Sequence, residues 1–325
     1  CRMEKTQQLQ TTFAEFITRC DFGGHPAELY EPIAYTILQK GKRLRPMLCL
    51  LANDLFGGKT EDALWPALAL ETFHNFTLIH DDIMDQAPMR RGQATVYQKW
   101  NANVAILSGD AMLAMAFQFA LNTKNGVAAA QLLGKVAREV CEGQQFDLNY
   151  ETQGEVSIAE YLEMIRLKTA VLLATSLEMG ATIANADAQS KQALYDFGIN
   201  IGMSFQLQDD ILDLYSDVEV FGKRHGGDIA DNKKTYLYLK ALELAEEQDR
   251  KRLQHLFTMR IEHEEEEKIA EVKAIYDKLH VKEVVESVMQ DYDRKAFAAL
   301  DSIALPEEKK THLRTYAELL YGRKK

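Results

Sequence analysis

Cysteine is scarce, four in 325 residues, and Cys1, Cys20, Cys49 and Cys141 show neither metal-type nor redox-type spacing. Reduced thiols in a cytoplasmic protein are the simple expectation. Proline is scarce too, with six residues, and 18 glycines include short turn signals such as Asp21-Phe22-Gly23-Gly24 and Phe56-Gly57-Gly58. No series of alternating apolar residues suggests a sheet. The richest apolar stretch, Val104 to Leu121, contains Asp110, so no transmembrane segment is expected. The first residues lack a charged segment ahead of an apolar core, so no signal peptide is expected either. Positive charge is the last shortage. With 38 Lys and Arg against 49 Asp and Glu the net charge is -11, which argues against nucleic acid as a partner.

What remains is helix-forming sequence. Hydrophobic residues make up 46% of the chain, and Ala, Leu, Glu, Lys and Gln abound, which points to a sizeable core and an all-α fold. Apolar residues recur at helical spacing from about residue 7 onward with nothing resembling a linker, so a single domain over 1–325 is expected. Ser157-Ile158-Ala159-Glu160 reads as a capping box opening a helix that runs to about Gly180. Pro306 followed by Glu307 and Glu308 starts a last helix. Gly198 and Gly202, four apart, would let their helix approach a neighbour closely. Ser216 to Asn232 is the least regular stretch and reads as a lid loop.

Two acidic clusters carry the chemistry: Asp81-Asp82-Ile83-Met84-Asp85 and Asp209-Asp210-Ile211-Leu212-Asp213. Each reads Asp-Asp-x-x-Asp within an apolar helical run. On a helix, residues four apart share a face, so Asp81 stands with Asp85 and Asp209 with Asp213. Like charges so close, in surroundings that favour burial, require cations. Oxygen-only donors with few His and no Cys nearby select Mg²⁺ or Mn²⁺ over zinc, and Mg²⁺ commonly shares itself with substrate phosphates.

Basic residues gather at Gly41-Lys42-Arg43-Leu44-Arg45-Pro46, at Arg90-Arg91-Gly92, at Lys168, and from Lys223 to Lys233-Lys234. Arginine forks suit phosphate oxygens. Arg90-Arg91 follows Asp85 by five residues, so acid and base adjoin beside an apolar interior, a pattern that fits a metal-diphosphate site with a greasy pocket.

The ordered set of these motifs, with Lys168-Thr169, Phe205-Gln206-x-x-Asp209-Asp210-x-x-Asp213 and Gly222-Lys223…Gly227-Asp228…Lys233, closely resembles the trans-isoprenyl diphosphate synthases. The match runs in order from about residue 30 to 240. The resemblance implies helices around a deep central cavity, and a homodimer. It implies a head-to-tail condensation of isopentenyl diphosphate with C5 to C15 allylic diphosphates. Three Mg²⁺ are implied, held by Asp81, Asp85 and Asp209 with Asp82 and Asp213 in support. By the same resemblance Arg90, Lys168, Lys223 and Lys233 hold the allylic diphosphate, and Thr169 and Gln206 sit beside the allylic cation. Lys42, Arg45, His74 and Arg91 match the site for isopentenyl diphosphate.

In such enzymes the residues before the first acidic motif form the pocket floor. Phe73, Phe76 and Thr77 are the chain-length candidates; Phe76 lies five residues, about 7.5 Å, before Asp81. A bulky floor implies a short product. Phe76 with the small Thr77, and no two-residue insertion in the first motif, place C20 ahead of C15. Two rival readings share the fold: a class I terpene cyclase, which usually replaces the second aspartate motif, and a non-catalytic subunit of a heteromeric synthase, which commonly loses one motif. Both motifs are intact here.

Overall fold

The computed structural model describes residues 4–216, 224–259 and 264–321. Among them the elements are helices, apart from one two-stranded hairpin. They form two compact units.

The first unit holds residues 1–137, 175–195 and 303–316. Its helices begin with α1 (Glu4–Arg19), α2 (Ala27–Ile37), α3 (Leu44–Leu55) and the 25-residue α4 (Thr60–Met84). The hairpin β1 (Met89–Arg90) and β2 (Gln93–Ala94) follows, then α5 (Val96–Lys99) and α6 (Ala102–Leu121). Phe13, Leu48, Leu50, Leu68, Leu70 and Phe73 lie fully buried in its core. Small residues decide how closely its helices meet. A Cβ on Gly109 of α6 would stand 2.3 Å from the imidazole of His80 on α4, so only glycine admits that ring. His80 Nε2 lies 3.1 Å from the Ile106 carbonyl oxygen of α6, and the Ser108 hydroxyl donates to the Leu29 carbonyl of α2. Ala102–Leu121 is long and apolar enough by composition to cross a membrane, an exception to the expectation from the sequence; these contacts with α4 and α2 show what its inner face does in this fold.

The second unit holds residues 138–174, 196–302 and 317–325. Helix α7 (Gly126–Thr152) enters it, and α8 (Ile158–Ile165) begins at the expected capping box: Ser157 Oγ accepts the Glu160 N–H while the Glu160 carboxylate accepts the Ser157 N–H. The helix then continues as expected, but not as uniform α-helix. Residues Arg166–Ala170 form one turn of π-helix before α9 (Val171–Ile183) resumes. Helix α10 (Ala188–Tyr215) carries the second acidic motif, and α11 (Gly227–Ala230), α12 (Tyr236–Leu244), α13 (Glu247–Leu256), α14 (Glu265–Lys278) and α15 (Val281–Asp301) complete the unit's core. Met164, Met203, Leu207, Ile211, Leu237, Val272 and Tyr276 pack at its centre. Helix α16 (Glu307–Tyr321) starts after Pro306, as its sequence signal predicts.

Gly202 fulfils the close approach expected of it. A Cβ there would fall 2.6 Å from the Ala170 Cα, and one on Gly143 of α7 would fall 2.6 Å from the Lys168 backbone nitrogen. Two glycines on two helices thus make room for the same π turn, the one bearing Lys168 and Thr169. Single π turns of this kind are frequent at functional sites.

Candidate active site

In the first unit the acidic motif occupies the last turn of α4. Asp85 caps the helix, Gln86 takes a left-handed conformation (φ 52°), and the Ala87 N–H reaches back to the Asp82 carbonyl oxygen, a Schellman ending. The last turn holds no basic residue. Carboxylates at a helix carboxyl end add to the negative pole of the macrodipole, which disfavours them unless a cation sits there.

The three aspartates are not equivalent. Asp85 is exposed and Asp81 half-buried, whereas Asp82 is buried, with its carboxylate held by the Arg90 guanidinium at 2.7 to 3.1 Å. Asp82, expected among the metal ligands, is therefore an ion-pair partner here, and Arg90, expected on diphosphate, is its counterion. Burial raises the Asp82 pKa, with the Arg90 hydrogen bond opposing.

Arg90 and Arg91 sit on a hairpin that the sequence did not announce. Arg91 (φ 53°) and Gly92 (φ 74°) are both left-handed, the two-residue turn that matches the twist of paired strands. The hairpin presents Arg91 to Asn75 at 3.4 Å and to Gly41, whose missing Cβ would meet the guanidinium at 3.8 Å. Asn75 in turn donates to the Glu71 carboxylate at 2.9 Å. Gly41 begins the basic loop, where Arg43 is also left-handed (φ 53°), a strained conformation for a bulky residue and one that concentrates at binding sites. Lys42 is exposed beside it, and Arg45 lies in the first turn of α3.

His74 collects this charge. Loss of water holds its imidazole well below the ordinary value, with Arg45, Arg91 and Arg90 pushing the same way. A neutral histidine amid guanidinium groups is built to receive an anion. It also fixes a pH dependence. The unfolded chain binds a proton at His74 from about pH 6.5 downward and the folded one does not, so stability is full above that value and falls as pH drops toward the depressed one. Urea midpoints of the wild type should decline between pH 7.5 and 5.5 more steeply than those of His74→Gln; equal slopes would contradict this assignment.

Along α4, Phe73 is fully buried and Phe76 half-buried, their centroids 5.7 Å apart, and Phe76 meets His80 edge-on at 4.8 Å. Thr77 donates its hydroxyl to the His74 carbonyl, which leaves its oxygen only as an acceptor beside its methyl.

In the second unit the pattern recurs on the last turns of α10. Asp209 and Asp213 are half-buried; the middle aspartate, Asp210, is buried and clasped. Tyr161 donates its phenol to Asp210 Oδ2, and Gln206 Nε2 donates to Oδ1 at 3.1 Å. Burial pushes the Asp210 carboxyl up to about 7, with the charge of Asp228 adding to it. Asp213 accepts the Asp228 N–H at 3.0 Å, and its own carbonyl accepts from Gly226, so the start of α11 is tied back onto the motif. Lys233 is exposed, near enough to Asp210 to oppose its raised pKa, and its N–H donates to the Asp228 carbonyl. Lys168 pairs with Asp147 at 2.6 Å, and the Thr169 hydroxyl donates to Gln206 Oε1 at 3.3 Å. Lys223 lies outside the described residues, as do residues 217–222 of the expected lid; the rest of that stretch is described and includes α11.

Sequence reasoning missed Asp147, Tyr161, Glu71 and Asn75. Tyr161 stands seven residues before Lys168, a two-turn spacing that could have flagged it; Asp147 is 21 residues away and gives no local signal. Among the described residues no three His, Cys, Asp or Glu side chains already stand as a closed metal cluster. The donor chemistry nevertheless fits a divalent cation. Each motif ends a helix with two outer carboxylates on one face while the middle one is tied down by protein donors, leaving a two-oxygen clamp of the kind Mg²⁺ completes with water and phosphate.

The sequence matches the polyprenyl synthetase family over residues 26–279. The chain belongs to that family. It is 37% identical over 279 residues to a short chain isoprenyl diphosphate synthase of Methanothermobacter thermautotrophicus, covering 85% of each chain. With a geranylgeranyl diphosphate synthase of Methanosarcina mazei it shares 40% identity over 222 residues, 67% of this chain and 68% of that one. A crystal structure of a geranylgeranyl pyrophosphate synthase superposes with a TM-score of 0.94 at 41% identity, covering 98% of both chains. The polyprenyl synthetase fold is the all-α isoprenoid synthase fold expected from the sequence, and the protein is a prenyltransferase of isoprenoid biosynthesis. Its family is divalent-metal-dependent and works on isopentenyl and allylic diphosphates. Neither the cyclase nor the non-catalytic reading is favoured by these relatives.

Proposed function

We propose that the protein is a geranylgeranyl diphosphate synthase, joining isopentenyl diphosphate head to tail to allylic diphosphates of C5 to C15 and stopping at C20. The observation that carries this is the repeated clamp, two outer aspartates presented and one inner aspartate clasped, in both motifs. Asp81 and Asp85, and Asp209 and Asp213, supply the oxygens for three Mg²⁺, with Mn²⁺ as a substitute. The metal, when bound, neutralises the leaving diphosphate as a Lewis acid.

The chain's own residues do the rest. Lys168 and Lys233, with Lys223 from outside the described residues, hold the allylic diphosphate, and Asp147 aims the Lys168 ammonium. Thr169 and Gln206 turn oxygen atoms toward the ionising carbon. Lys42, Arg45, Arg91 and neutral His74 receive isopentenyl diphosphate without metal. Arg90 is given to Asp82 first, and its part in diphosphate binding is through the ends of the guanidinium that Asp82 leaves. No protein nucleophile is required.

The product-length reading rests on Phe76 and Phe73. Phe76→Ala should shift the main product from C20 to C25 or longer, read by chromatography of the dephosphorylated lipids. A variant that still stops at C20 would move the floor to Phe73.

We read the assembly as a cytoplasmic homodimer of single-domain chains, the family match drawing on both units. The surface that supports a second copy is the outer face of α6, where Ile106 and Leu107 are 43% and 59% exposed and Leu121 51%. Exposed apolar rows of this kind mark interfaces. Leu107→Glu should halve the mass measured by light scattering, and an unchanged mass would place the interface elsewhere.

A further inference from the structure

Three hydrogen bonds run through the second unit in one line, and their direction is fixed at the buried end. Tyr161, 2% exposed, has its ring packed 6.5 Å from Tyr236 and its hydroxyl on Asp210 Oδ2. Facing the ionised carboxylate, the phenol hydroxyl can only donate, as it does here. Asp210, 3% exposed, is thereby held with Oδ1 toward Gln206, one helical turn earlier on α10. The oxygen of the ionised carboxylate accepts, so the Gln206 amide turns its nitrogen to Asp210, at 3.1 Å. Its oxygen is then turned the other way, where it accepts the Thr169 hydroxyl at 3.3 Å. Reversing that amide would set two acceptors against each other in a buried site, a conflict that costs more there than in water.

We propose that Tyr161 is a positioning residue for the prenyl transfer: acting through Asp210, it orients the Gln206 side chain so that its carbonyl oxygen, with the Thr169 hydroxyl, faces the carbon that ionises. The inference deepens the proposed function and rests on its placing of Thr169 and Gln206 beside that carbon. A dipole aligned before reaction stabilises developing positive charge without reorganising at the moment it forms. Tyr161 itself touches neither substrate nor metal. Its contribution lies in the barrier to ionisation and not in binding.

The test is a double-mutant cycle read by the single-turnover rate of C–C bond formation. Tyr161→Phe removes one oxygen and keeps the ring. It should slow the step about tenfold, equal to about 1.4 kcal/mol, with the KM for isopentenyl diphosphate unchanged. Gln206→Ala alone should be slower still, and Tyr161→Phe added to it should have no further effect. An equal tenfold loss in both backgrounds, or no loss in the wild-type background, overturns the relay while leaving the role of Gln206 intact. A Gln206→Ala enzyme of wild-type rate overturns the placing of Gln206 itself, and the relay with it. An atomic-resolution crystal structure of the unaltered protein gives an independent reading, free of any folding defect in the variants. The Gln206 nitrogen toward Asp210 supports the relay, and the oxygen there overturns it.

Discussion

Asp209→Ala is expected to lower the single-turnover rate about a thousandfold while leaving the thermal midpoint unchanged or raised. The two halves of that expectation have one cause. Asp209 stands on the last turns of α10, a helix whose last turn holds no basic residue, so its charge adds to the negative pole of the helix dipole and removing it relieves that interaction. What is lost is a metal ligand, and Lewis-acid stabilisation of a leaving diphosphate is worth several kcal/mol. About 4 kcal/mol corresponds to about a thousandfold. Assay at saturating Mg²⁺, with melting followed by circular dichroism, checks both halves. A loss below tenfold would remove Asp209 from the metal set, and a lowered midpoint would make its role structural.

Gly202→Val should cost about a hundredfold in rate, together with a loss of stability of about 1 to 3 kcal/mol from overpacking. The added Cβ would stand 2.6 Å from the Ala170 Cα and 2.8 Å from its Cβ, distances that no rotamer can relieve. The π turn must then shift, and Lys168 and Thr169 shift with it. A displacement of about 1 Å at a positioned group is enough for a hundredfold loss. Gly202→Ala should give the same sign with a smaller amplitude. Stability lost without rate lost would mean that the turn yields elsewhere and that its geometry does not set the chemistry. The measurement is kcat alongside the urea midpoint for both variants.

Much of this was written in the sequence in local form. The capping box at Ser157 and the start after Pro306 were legible because each depends on neighbours within one turn. The paired faces of Asp81 with Asp85 and Asp209 with Asp213 follow from helix periodicity alone. The inward turn of Asp82 and Asp210 was not legible, since its partners, Arg90 and Tyr161, arrive from 8 and 49 residues away. The hairpin at Arg90 escaped because two strands of two residues leave no alternation to detect, although Arg91-Gly92 sits where a left-handed turn is needed. The π turn escaped for a different reason. Its residues are ordinary helix formers, and it exists because Gly143 and Gly202 let two neighbours press on it from outside. His74 was placed by family likeness, and the structure adds the physical ground, three guanidinium groups around one neutral ring.

The most direct test of the central claim is incubation of the purified protein with labelled isopentenyl diphosphate and, in turn, C5, C10 and C15 allylic diphosphates, with Mg²⁺ and with EDTA. The account predicts elongation from every starter, accumulation at C20, and none of it in EDTA. Elongation that persists without a divalent cation would contradict the role given to the two aspartate motifs, and no elongation from any starter would contradict the assignment as a prenyl diphosphate synthase.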